Sequence, residues 1–480
     1  MPSRRTARSK RRNKKCKRSL VARIPTPFET LPEVSRNVLE KHMNELFSKG
    51  FISTILSGRP GLRSRILTIE VVMISLLNFV VANMESFLEL VDRLQKGKIP
   101  GLKAVEVSPQ AFYKRLGAIP HTVFLDLLRK TTQTLNISSS HERKWIKKLA
   151  PFATNIYAMD DTTLDALARK SILLKQHSKG AMETLGGRLG CVLDIVTGRF
   201  AEIIYDADSA ANEKTHARPL VERLPTGALY IFDLGFFAFP FLDFLTEKGC
   251  FFISRLRNKT SFEIIETLAE KTHYRDRLIW LGKYRSDKAA HPVRLVEIKI
   301  DGKWWSYITN VLDPGMLNAP NLWTLYGYRW KIEKTFATVK RALNLAFLRV
   351  THQNGILIQI WSTFTVYQVL QDLRLEIATA RGWRDDEISW TNLMRRIAWY
   401  AEDPDKLPLR KWLVKNASKL NLQKRGQRKR RMTVLPKKVL KDCLPPPSPP
   451  DPTLITSRTA RQGDQKPAKQ RFPLIIGGLS

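Results

Sequence analysis

The stretch "NIYAMDDTTL", residues 155–164, sets two adjacent aspartates into a short apolar run. Successive residues of a β-strand point to opposite faces of a sheet, so Asp160 and Thr162 share one face and Asp161 lies on the other. Because apolar residues occupy both faces, the pattern predicts a central strand. A carboxylate buried in such a strand costs free energy unless it lies near the strand end or binds a cation. The stretch therefore predicts a sheet with acidic side chains in its interior.

The segments after this stretch predict a mixed α/β fold. A second and a third strand are joined by a turn at Thr197 and Gly198, and then helix and strand alternate. A strand meander followed by alternating helices and strands is typical of a mixed sheet. In chain order these segments are "RLGCVLDIVTG" (188–198), "RFAEIIYDA" (199–207), "NEKTHARPLVERL" (212–224), "ALYIFD" (228–233), "FPFLDFLTEKG" (239–249) and "CFFISRLRN" (250–258).

The charge of the chain indicates a polyanionic partner. Its 480 residues carry a formal net charge of +37. Residues 1–24 contain eleven lysines and arginines and no acid, and residues 406–441 contain fourteen and no acid. Basic surface gains free energy by releasing the counterions of nucleic acids, so the composition favours a nucleic acid as the partner.

Membrane insertion and secretion are not expected from the sequence. The most apolar run, residues 66–84, contains Glu70 and Asn78 and predicts a buried helix. The basic N-terminus lacks the apolar core of a secretory signal. The four cysteines are scattered without a Cys-x-x-Cys pair, which excludes a disulfide framework and a structural zinc site. We expect no membrane partner and a cytoplasmic protein.

The stretch "LYGYRWKIEKTFATVK", residues 325–340, places one glutamate among several cations. On a single helix, at about 100° per residue, Tyr326, Arg329, Glu333 and Lys340 fall within roughly a 60° stripe beside an apolar face. One interpretation is an exposed ladder in which Arg329 and Glu333 pair at i, i+4. The other is a site in which the glutamate has a role of its own.

Three carboxylates on different elements together favour a metal site. Asp160 lies in the acidic strand, Asp233 ends a strand at the edge where open α/β sheets bind ligands, and Glu333 lies on the helix. Chemistry at a phosphodiester bond needs hard cations, and Mg²⁺ takes oxygen ligands from carboxylates. Each acid alone also has a structural interpretation as a turn cap or an ion-pair partner. Rival acids on the strands stay open, namely Asp161, Asp194, Asp206 and Asp208.

The segments "MDDTTL" (159–164), "YIFDLGFFAFPFLDFL" (230–245) and "YGYRWKIEKTFATVK" (326–340) together resemble a known family. They are similar to cut-and-paste insertion-sequence transposases of the type of insertion sequence four, which carry a DDE triad of acids and a Tyr-Arg-Glu-Lys signature. The resemblance implies a ribonuclease H-like catalytic domain interrupted by a β-rich insertion.

The resemblance also implies the residues of the site. Asp160, Asp233 and Glu333 would hold two Mg²⁺ ions, for which Mn²⁺ can substitute. Asp160 is preferred over Asp161 because the family pattern is Asp-x-Thr. Phosphates near the transposon end would be contacted by Tyr326, Arg329 and Lys340, and a base extruded from a hairpin intermediate would stack on Trp305 or on its neighbour Trp304.

The resemblance thus implies a transposase that binds the terminal inverted repeats of its element. It would act on double-stranded DNA of the transposon ends and the target, as a homodimer in the synaptic complex, and be associated with the nucleoid. A ribonuclease H-like nuclease without strand transfer and a catalytically retired DNA-binding descendant are the alternatives.

The predicted organisation has seven parts. They are a basic disordered arm (1–30), a helical DNA-binding domain (31–150), the first part of the ribonuclease H-like domain (151–258), the β-rich insertion (259–311), the second part of the catalytic domain (312–382), a C-terminal helical region (383–425) and a basic, proline-rich disordered tail (426–480).

Overall fold

The computed structural model describes the chain from residue 66 to residue 443 with gaps. The described ranges are 66–82, 84–99, 102–134, 141–164, 187–208, 211–343, 345, 348–350, 352–400, 409–424 and 435–443. The predicted basic arm and nearly all of the predicted proline-rich tail lie outside these residues.

One mixed sheet of nine strands organises the described residues. Its strands are β1 (Ile156–Thr163), β2 (Arg188–Asp194), β3 (Arg199–Asp206), β4 (Leu229–Ile231), β5 (Phe251–Arg255), β6 (Phe262–Lys271), β7 (Tyr274–Leu281), β8 (Val293–Ile300) and β9 (Lys303–Thr309). They lie in the order β3-β2-β1-β4-β5-β9-β8-β7-β6. β1, β2 and β3 form an antiparallel meander, and β4 and β5 continue the sheet in parallel with β1. The predicted mixed α/β fold is confirmed.

The predicted β-rich insertion forms the far half of the sheet. β6 to β9 pair as antiparallel neighbours, and β9 joins the half to β5. The hairpin of β8 and β9 turns at Asp301 and Gly302, which both have positive φ, as a tight two-residue hairpin turn requires. The insertion therefore extends the catalytic sheet rather than forming a separate layer.

Helices flank both faces of this sheet. They are α1 (Ile69–Val81), α2 (Phe87–Gln95), α3 (Pro109–Ala118), α4 (Thr122–Thr134), α5 (His141–Leu149), α6 (Glu213–Glu222), α7 (Phe239–Glu247), α8 (Ala319–Gly327), α9 (Trp330–Ala342), α10 (Gln353–Arg381), α11 (Trp390–Tyr400), α12 (Leu409–Asn416) and α13 (Lys437–Cys443). Ser108 caps the start of α3, where its hydroxyl accepts a hydrogen bond from the Ala111 backbone N–H.

The long helix α10 is the central element of the larger core. It is buried along nearly its whole length and packs against α1, α3, α4, α12 and β3. The apolar run at residues 66–84 contains α1, whose residues are mostly buried as predicted. Among the helices described, none is both long and apolar enough to span a lipid bilayer.

A buried ion pair lies between two strands of the insertion and also contacts the segment before α8. The guanidinium of Arg294 on β8 has a side-chain exposure of 0% and donates to both carboxylate oxygens of Asp276 on β7, at 2.8 and 2.6 Å. It also donates to the carbonyl of Leu317, at 2.7 Å, just before α8. The pair thus holds the insertion against the segment that leads to α8 and α9.

Replacing Asp276 with alanine is expected to destabilise the protein by about 3–5 kcal/mol, since it leaves the charge of Arg294 buried without its counter-ion. Urea titration followed by tryptophan fluorescence measures the change. Asp287→Ala serves as the control, because Asp287 pairs with Arg285 at the exposed surface. An equal loss for both variants would contradict this account of the insertion.

Candidate active site

Asp160 and Asp233 lie where two parallel strands separate. The pairing of β1 with β4 ends at Ala158 and Ile231, and each aspartate follows two residues later. Ala158 and Ile231 both belong to the core on the α9 side of the sheet, so strand alternation places the two carboxylates on that side. The sheet therefore directs both aspartates toward α9.

Glu333 reaches the same region from the first turn of α9. Arg329, the residue before that helix, is buried and lies between the acids. Its Nη2 is 2.8 Å from Glu333 Oε1, and its Nη1 is 3.5 Å from Asp160 Oδ2. One guanidinium thus bridges a carboxylate of β1 and a carboxylate of α9.

The charges of the three acids interact. Burial raises the pKa of Asp160 to about 7, the Arg329 guanidinium opposes this rise, and the carboxylates of Asp233 and Glu333 add to it. The Asp161 backbone N–H, 2.9 Å from Asp160 Oδ1, also stabilises the ionised form. Arg329 is therefore an incomplete counter-ion for the negative charge gathered here.

The sequence suggested that Asp233 is the last residue of a strand, and the structure contradicts this. β4 ends at Ile231, and the Asp233 carboxylate caps the short 3₁₀ turn Leu234–Phe236 by accepting from the Gly235 N–H at 2.8 Å. The structural interpretation as a turn cap is thus correct for one oxygen, Oδ1. The bond fixes the orientation of the carboxylate at the sheet edge.

The prediction of one helix across the Tyr-Arg-Glu-Lys stretch is wrong. Tyr326 lies near the end of α8, and a break at residues 328–329 precedes α9. Backbone N–H groups around the break bond to carbonyls three residues earlier, as for Arg329 to Tyr326 at 3.0 Å and Lys331 to Tyr328 at 2.8 Å. Gly327, which favours a helix interior poorly, lies at this tightened turn.

Tyr326 and Lys340 are both partly buried. The Tyr326 ring lies 4.9 Å from the Tyr307 ring, centroid to centroid. The Lys340 ammonium donates to the Thr162 hydroxyl and, at 3.2 Å, to the Thr163 carbonyl, and burial lowers its pKa. Lys340 therefore connects α9 to the end of β1, beside the acids.

Trp304 and Trp305 occupy opposite faces of β9, and cations cover each. The Arg255 guanidinium and the Lys303 ammonium both lie 5.1 Å from the centre of the Trp305 ring. Trp323 packs edge-on against the same ring at 6.1 Å. The Arg275 guanidinium lies 4.4 Å from the Trp304 ring. Trp305 lies nearer the site, because Arg255 also interacts with Tyr326.

The rival acids have structural partners. Asp194 caps the turn after β2 by accepting from the backbone N–H groups of Val196, at 2.7 Å, and Thr197, at 3.2 Å. Asp161 and Asp206 flank His216 on the other side of the sheet. Asp208 donates its backbone N–H to the Asp206 carboxylate.

Sequence reasoning gave no role to His216, and it did not single out Arg188 or Glu213. The structure brings these residues together around Asp161. Their spacing carries no motif, so only the packing of α6 on β2 and β3 reveals them.

The donor chemistry of the three acids suits a hard cation. Within the described ranges, no three side chains of histidine, cysteine, aspartate or glutamate are close enough together to hold a metal ion. Asp160, Asp233 and Glu333 nevertheless supply the carboxylate oxygens that Mg²⁺ prefers. Burial raises the pKa of Asp160 most, and the charges of Asp233 and Glu333 add to the rise, so a cation bound here would stabilise ionised Asp160.

One family model matches the central part of the chain. Residues 151–369 are similar to the family model described as "Transposase DDE domain". The match contains all three acids and the insertion.

Two known proteins are similar to the chain. A protein of Sinorhizobium fredii named as a candidate transposase, y4zB, is 23% identical over 196 residues. The match covers 37% of this chain and 53% of that relative, so it spans about half of the relative's length. A solved structure of the piggyBac transposase synaptic complex with hairpin DNA aligns over 83% of this chain and 88% of that chain, with a TM-score of 0.36 and 11% identity.

We expect Asp160→Asn to stabilise the metal-free protein at pH 8 by about 2–4 kcal/mol. The pKa of Asp160 is about 7 in the folded chain and 3.8 ordinarily, so its charge opposes folding above pH 7. This cost declines as the pH falls through 7 and disappears near 4. Urea denaturation in EDTA at pH 8 and pH 4.5 measures the difference.

The control for this prediction is Asp92→Asn, because Asp92 lies at the surface in a pair with Lys96. It is expected to leave stability nearly unchanged at both pH values. If Asp160→Asn raised the free energy of unfolding equally at pH 4.5 and pH 8, the charge of Asp160 would not be what opposes folding.

Proposed function

We propose that this protein is a metal-dependent DDE transposase that cleaves DNA and joins the free 3′-hydroxyl to target DNA. The observation that supports the proposal is that Asp160, Asp233 and Glu333 lie at one edge of the sheet, within the segment that matches the transposase DDE domain model. The two aspartates come from adjacent strands and the glutamate from the facing helix.

Asp160, Asp233 and Glu333 would hold two Mg²⁺ ions, or Mn²⁺ in their place. When bound, the ions would supply Lewis acidity toward the phosphodiester and lower the pKa of the attacking water or hydroxyl. The Gly235 N–H orients the Asp233 carboxylate, and the Asp161 N–H orients that of Asp160. Arg329 balances part of the negative charge of Asp160 and Glu333 before a cation arrives.

Four further residues would contact the DNA. Tyr326, Arg329 and Lys340 border the acids, and Arg and Lys suit bidentate and point-charge contacts to phosphate, respectively. Trp305 would provide a stacking surface for a base, since its ring lies beside Arg255 near Tyr326. A phosphate backbone drawn to these cations would pass directly over the carboxylates.

The substrates would be the terminal inverted repeats of the protein's own element and a target duplex. The strong positive charge of the chain favours binding to both and association with the nucleoid. Cleavage at two ends followed by joining needs two active sites at once, which a homodimer in a synaptic complex would supply.

Glu333→Gln is expected to lower metal-dependent DNA cleavage by at least about 100-fold, because loss of a metal-binding charge costs several kcal/mol of transition-state stabilisation. DNA binding is expected to persist. The assay incubates the purified chain with duplexes that carry the ends of the DNA flanking its gene, with Mg²⁺ or EDTA, and follows nicking and joining to a plasmid. Glu222→Gln on the exposed face of α6 is the control.

The products separate the proposed activity from its alternatives. Nicking at the repeat boundary followed by joining supports a transposase. Nicking without joining would instead establish a nuclease, and binding without nicking by the wild-type protein would establish a retired DNA-binding descendant. Wild-type cleavage in Glu333→Gln would remove Glu333 from the site.

A further inference from the structure

The two aspartates of the site lie on strands that have lost their mutual hydrogen bonds. The parallel ladder between β1 and β4 ends at Ala158 and Ile231. Beyond it, β1 stays paired only with β2, and the chain after β4 enters the 3₁₀ turn. The separation of Asp160 and Asp233 therefore depends on something other than the sheet ladder.

The guanidinium of Arg188, on the opposite side of the sheet, links residues on the two sides of this gap between β1 and the chain after β4. Arg188, at the start of β2, donates through Nε to Asp161 Oδ2 at 3.0 Å and through Nη1 to the Ala211 carbonyl at 2.9 Å. Its Nη2 donates to Glu213 in the first turn of α6. Arg188 thus connects the residue next to Asp160 to the start of α6.

Glu213 in turn packs on the turn that orients Asp233. A Cβ placed on Gly235 would lie only 1.5 Å from Glu213 Oε2, so the glutamate fills the space that a side chain at Gly235 would need. Gly235 is also the residue whose N–H binds the Asp233 carboxylate at 2.8 Å. Arg188 and Glu213 therefore extend from β1 to the turn after β4.

His216 completes this network from the next turn of α6. Its Nδ1 is 2.8 Å from Asp161 Oδ2, and its Nε2 is 3.0 Å from Asp206 Oδ2. The Asp161 side chain is 0% exposed, so Arg188 and His216 are its two hydrogen-bonding side-chain partners in a buried setting. Both bonds go to the same oxygen, Oδ2, and Asp161 is covalently joined to Asp160.

We propose that Arg188 is a positioning residue that sets the distance between the carboxylates of Asp160 and Asp233 from behind the sheet. This inference rests on the proposed function, because it assigns to Arg188 the spacing of that site's acids. Arg188 touches neither acid and would not touch metal or DNA. Its guanidinium has the fixed fork geometry needed to bond two carboxylates and a carbonyl together.

The test measures metal binding directly. Titration of the full-length protein with Mn²⁺, with free Mn²⁺ followed by electron paramagnetic resonance, gives the dissociation constant of the component that Asp160→Asn abolishes. Arg188→Met is expected to weaken this component about 10–100-fold, as loss of an outer-sphere support for metal ligands does. Arg188→Lys, which keeps the charge but not the fork, is expected to recover only part of the affinity.

Arg277→Met is the matched control. Arg277 has a side-chain exposure of 13%, against 14% for Arg188, and it also bonds two carboxylates, those of Glu270 and Glu297, in the insertion. A general loss of stability would affect both variants, whereas only Arg188→Met is expected to lose Mn²⁺ affinity. Thermal unfolding of both variants establishes that they are compared at similar folded fractions.

Gly235→Ala tests the same network from its other end, because the added methyl group would lie 1.5 Å from Glu213 Oε2 and 3.0 Å from Asp233 Oδ1. The substitution therefore displaces the end of the Glu213 side chain at the turn that orients Asp233. It is expected to weaken Mn²⁺ binding to a similar degree, and it keeps the inference testable if Arg188→Met does not fold. Wild-type affinity in Gly235→Ala, or in a folded Arg188→Met, would overturn the inference alone. Absence of any Asp160-dependent Mn²⁺ binding in the wild type would overturn the proposed function, and the inference with it.

Discussion

The gathering of three carboxylates around the largely buried Asp160 at one sheet edge is the constraint on which the site depends. Asp160, Asp233 and Glu333 come from β1, the turn after β4 and α9, and the pKa of Asp160 is raised by burial and by the charges of the other two. Arg329 balances part of this charge from the break before α9. The fold thus accepts locally unfavourable electrostatics, which is typical of a site built to receive a cation.

The two aspartates of β1 point to opposite faces of the sheet and have different partners. Asp160 faces α9 and the other acids, whereas Asp161 faces α6 and is neutralised by Arg188 and His216. A strand can present adjacent carboxylates in this way because successive side chains point in opposite directions. The geometry gives each aspartate a different set of partners, although the sequence alone left the choice between them open.

Much of the fold followed from local patterns. The meander of β1 to β3, the alternation from α6 to β5 and the hairpin of β8 and β9 were all predicted, since alternation and turn residues are local signals. The single helix across residues 325–340 was not correct. A stripe of side chains at helical spacing does not reveal a break, because the residues on both sides of Gly327 are helical and nearly in phase.

The sequence by itself determined the class of the fold, the three candidate acids and the strongly basic character that favours DNA, because each depends on residue type and spacing along the chain. Only the tertiary structure decided that Arg329 lies among the acids and that Arg188, Glu213 and His216 gather around Asp161 on the other side of the sheet. These contacts join residues that are far apart in sequence, such as Arg329 and Asp160 or His216 and Asp161. Their distances are set by how helices pack on the sheet, which no local spacing encodes.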